Sequence, residues 1–149
     1  MYASGMRSQE VCDLTVGDIQ FYQDKACINV HGKGQKIRRI GIPAAASDIV
    51  KKYIAHRGIS EDKNRHVFSS QIHEKMTVSC IEEIYAKYIR IAKQENPGMF
   101  RNNYTPHSMR HTTATHMLEA GVPLIVVKNF WVTFPCKPLR FIRKFLRKQ

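Results

Sequence analysis

Residues 18–43 read DIQFYQDKACINVHGKGQKIRRIGIP, and this stretch decides the fold class. Apolar side chains fall at Ile19 and Phe21, at Ala26, Ile28 and Val30, and at Ile37, Ile40 and Ile42. Side chains two apart share one face of a strand, so three short strands are expected. Gln23-Asp24 and Gly32-Lys33-Gly34 lie between them, where turns are needed. The glycines permit the positive backbone angles of a tight hairpin. Pro43 closes the sheet.

Outward from this sheet the period lengthens to that of helices. Gln9–Leu14 reads as a short helix, with Val11, Cys12 and Leu14 on one side. Ala44–His56 places Ile49, Val50, Tyr53 and Ile54 at helical spacing. A polar loop through Gly58–Arg65 leads to Val67-Phe68, and Thr77 or Ser79 then caps a long helix to about Gln94. Its apolar members are Ile81, Ile84, Tyr85, Tyr88, Ile89 and Ile91, read as core rather than as a stacking platform. Asn96-Pro97-Gly98 ends it. Thr105-Pro106 starts another helix, a hydroxyl cap followed by proline at the first helical position. This helix runs to Glu119 with Gly121 as its stop, and Pro123 opens a last one, Leu124–Phe130. The expected class is mainly α with a small three-stranded antiparallel β-sheet.

Charge is the unusual property of the composition. Among 149 residues, 24 Lys and Arg against 12 Asp and Glu give a net charge of +12, which points to a polyanion. Half of that excess comes from Lys137, Arg140, Arg143, Lys144, Arg147 and Lys148, in a stretch without an acid. No apolar run approaches the ~20 residues of a membrane span, and Met1–Arg7 lacks a signal-peptide layout. Cys12, Cys27, Cys80 and Cys136 are scattered without a C-x-x-C pair, which disfavours a zinc ribbon and a disulfide framework. A reducing, cytosolic setting is the expectation.

Four motifs follow one another in the chain. They are Gly5-Met6-Arg7-Ser8-Gln9-Glu10, Gly32-Lys33-Gly34-Gln35-Lys36-Ile37-Arg38, Thr105-Pro106-His107-Ser108-Met109-Arg110-His111, and Gly121-Val122-Pro123-Leu124. The ordered set resembles the catalytic domain of the tyrosine recombinase (phage integrase) family, with its G-x-R-x-x-E box, G-K-G-x-K-x-R hairpin and H-x-x-R-H box. The resemblance covers about Tyr2 to Phe130. It implies an enzyme that attacks a DNA phosphodiester with a tyrosine, forming a 3′-phosphotyrosyl link and releasing a 5′-hydroxyl.

The residue types suit that chemistry. Negative charge gathers on the non-bridging oxygens of the transition state, and two permanently protonated, planar guanidinium forks can hold them. The resemblance assigns those forks to Arg7 and Arg110. It assigns the general acid at the leaving oxygen to Lys33 and acid–base or phosphate help to His107. Lys36 and Arg38 join Arg7 and Arg110 as expected DNA phosphate contacts. Glu10 and His111 are expected supports, Glu10 orienting the first arginine or its neighbours and His111 serving packing and helix hydrogen bonds. The expected partner is double-stranded DNA, at the nucleoid when bound. No cofactor and no metal are expected.

The pattern breaks at both ends. The family places a Leu-Gly-His segment after Gly-Val-Pro-Leu and its nucleophilic tyrosine nine residues beyond that histidine. Here the match stops at Trp131, and Tyr2, Tyr22, Tyr53, Tyr85, Tyr88 and Tyr104 all precede His107. No tyrosine of this chain takes the nucleophile's role. Only four residues precede Gly5, so the helix and DNA-clamping domain that the family carries upstream are expected to be missing. The division expected is a partial catalytic domain over 1–130 and a basic, non-family tail over 131–149. Trp131 to Ile142 can be back-translated so that one added base and a shifted frame give Leu-Gly-His with a tyrosine nine residues later. A frameshifted tail is therefore expected. A homo-oligomer, or the tail folded on the core through Leu139, Ile142, Phe145 and Leu146, would cover apolar surface left open by the missing parts.

Two other classes compete. One is a small non-catalytic DNA-binding or regulatory remnant whose tail supplies most of the affinity. The other is a metal-dependent hydrolase using His107, His111 and His116, disfavoured because no H-E-x-x-H carboxylate or cysteine partner accompanies them.

Overall fold

The computed structural model describes residues 1–23, 25–32, 37–100, 102 and 104–132, with the backbone alone for 129–132. Lys33, Gly34, Gln35 and Lys36 lie outside the described residues, as do the tail positions Leu139, Ile142, Phe145 and Leu146. After a 3₁₀ turn at Tyr2–Ser4, the chain forms α1 (Ser8–Asp13), β1 (Ile19–Phe21), β2 (Lys25–His31) and β3 (Ile37–Pro43). Four helices follow, α2 (Ala44–His56), α3 (Val78–Glu95), α4 (Pro106–Glu119) and α5 (Leu124–Val132). The expected class is the observed one.

The three strands form one antiparallel meander in the order β1-β2-β3. Ile28 of the central strand faces Ile19 on one side and Ile40 on the other, and Val30 faces Arg38. Ala26, Ile28, Val30, Ile40 and Ile42 enter the core with Met6, Leu14, Val16, Ile54 and Val67. Against this sheet α2 packs on β2 and β3, while α1 touches β2 and α3. The turn Tyr2–Ser4 reaches both β3 and α4, and so draws the start of the chain to its last third.

Not every apolar residue counted toward the core lies in it. On β3 Ile37 is 54% exposed, because it has the opposite parity to Ile40 and Ile42. On α2 Ile54 is buried but Ile49 faces solvent. On α3 Ile81 is buried and Tyr85 and Ile89 are half-buried, whereas Ile84, Tyr88 and Ile91 are exposed, so the reading of that helix as core is corrected for one side of it. Among the described residues that side is only partly covered.

The start of α4 forms as its cap sequence dictates. The Thr105 hydroxyl accepts from the Ser108 amide at 3.3 Å, and the Ser108 hydroxyl accepts from the Thr105 amide at 3.2 Å. Reciprocal caps of this kind satisfy amides that a helix start leaves without partners. Gly121, at φ 78°, ends the helix, and the Val122 amide donates back to the Met117 carbonyl at 2.9 Å. The Thr113 hydroxyl donates to the carbonyls of Met109 and Tyr2, both at 3.0 Å, which pins α4 to the first residues of the chain. No helix of the described residues is long and apolar enough to cross a membrane.

Candidate functional site

Arg7 stands at the N-cap of α1 with extended backbone, φ −72° and ψ 155°. Glu10, in the first turn, reaches back to it twice: Oε2 accepts from the Arg7 amide at 2.8 Å and Oε1 from Nη1 at 2.9 Å. A carboxylate in this position satisfies a helix-start amide and also meets the positive end of the helix dipole. Only 7% of the Glu10 side chain is exposed, against 60% for Arg7. The first arginine is held at its backbone amide and through Nη1, and the rest of its side chain stays exposed.

Arg38 occupies a different place from the one expected. Its side chain is 6% exposed and forks onto Glu10, with Nη1 2.7 Å from Oε1 and Nη2 2.5 Å from Oε2. A guanidinium so enclosed is no direct phosphate contact, and the expectation for Arg38 is corrected. The signal was present in β3: Arg38, Ile40 and Ile42 share parity, so the face that buries the isoleucines buries the arginine. Burial opposes ionisation of the Glu10 carboxyl. The hydrogen bonds and charge of Arg38, with the bonds from Arg7, outweigh it and hold the group below the usual carboxylate range.

Arg110, one turn into α4, donates from Nη1 to the Gly5 carbonyl at 2.6 Å. Gly5 has φ 57°, a backbone angle that costs other residues energy, and it lies two positions before Arg7. Burial, then the positive charge of Arg7, then that of Arg38 lower the Arg110 pKa to about 10, with Glu10 opposing. The guanidinium therefore remains charged at neutral pH. Arg7 and Arg38 share the Glu10 carboxylate, and Arg110 lies close enough to feel the charges of all three; an anion meeting Arg7 and Arg110 together would offset their mutual repulsion.

The histidines of α4 are exposed. His107 and His111 have their Nε2 atoms 2.9 Å apart, with ring planes at 86°. His111 thus meets His107 one turn away through a hydrogen bond along the helix face and an edge-to-face ring contact. His116 Nδ1 lies 2.7 Å from the Tyr2 hydroxyl, away from the other two rings in its bonding. Among the described residues no group of three His, Cys, Asp or Glu side chains is placed to hold a metal ion. The structure brings together Arg7, Glu10, Arg38 and Arg110, with His107 one turn before Arg110. Lys33 and Lys36 fall in the segment outside the described residues. The anchoring Gly5 carbonyl was missed by sequence reasoning, and only the motif glycine pointed to it.

The sequence model of the phage integrase family matches residues 1–131. The chain belongs to this family. Curated phage integrase relatives include the tyrosine recombinase XerD of Chlamydia trachomatis, 32% identical over 132 residues that span 86% of this chain and 40% of that protein. The tyrosine recombinase XerA of Pyrococcus furiosus is 32% identical over 133 residues, 87% of this chain and 42% of that one. The chain therefore spans about two fifths of the length of these relatives. Among solved structures, the post-cleavage complex of XerH site-specific recombinase with palindromic difH substrate superposes with a TM-score of 0.73 at 24% identity. That match covers 97% of this chain and 38% of XerH. The XerA recombinase crystal structure gives 0.72 at 22% identity, over 99% of this chain and 54% of that one. These structural likenesses establish the integrase catalytic fold.

Proposed function

We propose that residues 1–130 form the phosphate-holding part of a site-specific recombinase that breaks and rejoins double-stranded DNA. The observation that carries this reading is the pair Arg7 and Arg110. They come from opposite ends of the described chain, lie within electrostatic reach of each other, and are tied down through Glu10 and Gly5. Two fixed cations of this kind stabilise a phosphoryl transition state by meeting charge where it develops, without reorganising at the moment of reaction. In this reading Lys33 protonates the leaving 5′-oxygen and His107 serves the attacking side. The covalent step requires a tyrosine this chain does not supply, and the chain by itself binds but does not cleave. No cofactor takes part. Residues 131–149 are a frameshifted tail, and the working place is the cytoplasm, on DNA.

Fluorescence anisotropy with a labelled duplex at low salt tests this. Neutralising a phosphate contact weakens binding to every sequence alike and reduces the slope of log affinity against log salt by about one. Arg7→Ala and Arg110→Ala should each do so. Unchanged affinity and slope in both variants would exclude the pair as a phosphate site.

A further inference from the structure

We infer that Arg38 is a positioning residue: it fixes the Glu10 carboxylate in one plane and so sets the direction of the Arg7 guanidinium. This rests on the reading of Arg7 as a phosphate-holding group, and it assigns a task to a buried side chain that touches no phosphate.

The argument comes from how the two oxygens of Glu10 are shared. Oε1 accepts from Arg38 Nη1 at 2.7 Å and Arg7 Nη1 at 2.9 Å; Oε2 accepts from Arg38 Nη2 at 2.5 Å and the Arg7 amide at 2.8 Å. Each oxygen thus has one bond from β3 and one from the start of α1. Without Arg38 the carboxylate would keep one rigid partner, the Arg7 amide on Oε2, and together with the flexible Arg7 head it could still turn about its last side-chain torsion, which is soft and broad. The fork from Arg38 is planar and bidentate, and it defines the carboxylate plane. With the plane fixed, the remaining acceptor direction of Oε1 dictates where Arg7 Nη1 must lie.

The burial pattern agrees. Arg38 and Glu10 are 6% and 7% exposed, whereas Arg7 is 60% exposed. An exposed arginine on a flexible stem loses side-chain freedom when it is fixed, and a rigid partner beneath it lessens what binding must still order. Arg38 sits second in β3, so the clamp also ties the first residues of that strand to α1. Burial of a pair like this is no evidence of stability in itself, since desolvation can cancel the attraction.

A double-mutant cycle on the full chain tests the inference, with anisotropy of a labelled random-sequence duplex at low salt as the readout. In the unaltered chain Arg7→Ala should weaken binding about tenfold, the scale of one charged hydrogen bond. In an Arg38→Lys background, which keeps the charge but removes the fork, Arg7→Ala should cost less than twofold. Glu10→Gln with Arg38→Met replaces the buried ion pair by groups of similar size, and should again abolish the dependence on Arg7. Thermal unfolding of the same variants separates folding from orientation. A merely structural Arg38 would lower the melting temperature and leave the tenfold cost of Arg7→Ala intact in whichever background still folds, and that result overturns the inference. No effect of Arg7→Ala in the unaltered chain would instead remove the phosphate reading on which it rests.

Discussion

Arg110 is anchored on Gly5: its Nη1 donates to the Gly5 carbonyl at 2.6 Å, so the second arginine is located by the residue that turns the chain into the first. Gly5 holds φ 57°, where a side chain meets the backbone. Gly5→Ala should lower stability by about 1–2 kcal/mol and weaken duplex binding, because the carbonyl shifts with the strain. Asparagine tolerates this backbone region better, so Gly5→Asn should recover part of both losses. Urea unfolding midpoints and anisotropy on the same samples check the order glycine, asparagine, alanine.

Acid should destabilise the fold through three carboxylates. Burial works against ionisation at Glu10, Asp13 and Asp18, but in each case hydrogen bonds and charges outweigh it: Arg38 and Arg7 at Glu10, Lys75 and Gln9 at Asp13, Thr15 and His31 at Asp18. All three pKa values are lowered in the folded chain. Such groups stabilise the fold above their unfolded pKa of about 4, and the contribution is lost as pH falls toward the folded value. The urea midpoint should be flat from neutrality to about pH 5 and drop below it. Glu10→Gln should make that drop shallower, and an equal drop would remove Glu10 from the account.

Deleting 133–149 removes six basic residues and no acid. The truncated chain should show weaker duplex binding at low salt and a smaller salt slope, since each lost phosphate neutralisation releases fewer counterions. The tenfold effect of Arg7→Ala should survive the deletion. A truncated chain with no residual binding would favour a remnant that works through its tail.

Incubation with a nicked suicide duplex should trap no covalent adduct. The Tyr2 hydroxyl is engaged with His116 Nδ1 at 2.7 Å. A phosphotyrosyl adduct detected by mass spectrometry would give one of the six tyrosines the role assigned to none.

The nucleotides after the Phe130 codon decide the nature of 131–149. Inserting one base should produce codons for Leu-Gly-His and a tyrosine nine residues on. The Trp131 and Val132 codons force glycine in that frame, and those of Phe141 and Ile142 allow only tyrosine or histidine. A gene whose shifted frame lacks this string ends the frameshift proposal.

Local rules were legible wherever a single element carried them. Thr105-Pro106 named its helix start to the residue, and Gly5-x-Arg7-x-x-Glu10 placed a carboxylate one turn from an arginine. What escaped was which side of an element faces inward. Arg38 looked like a cation for DNA because its charge was weighed without its parity, although Ile40 and Ile42 fix the buried face two and four residues on. Ile84 and Tyr88 looked like core because helical spacing defines a stripe and cannot say what lies against it. The Gly5 to Arg110 bond joins residues 105 apart, and no local pattern announces it.

That same span has a kinetic consequence. The meander β1-β2-β3 with α1 and α2 involves nearer neighbours in sequence, whereas Arg110 and Thr113 meet Gly5 and Tyr2 only when the chain has closed on itself. Contacts of large sequence separation bear the greatest loop-closure entropy and tend to form last. A chain emerging during synthesis would hold Arg7 on Glu10 and Arg38 well before Arg110 exists to join them. Competence to grip a phosphate with both arginines thus arrives as a late event of folding, and a partly folded molecule has one arginine of the two.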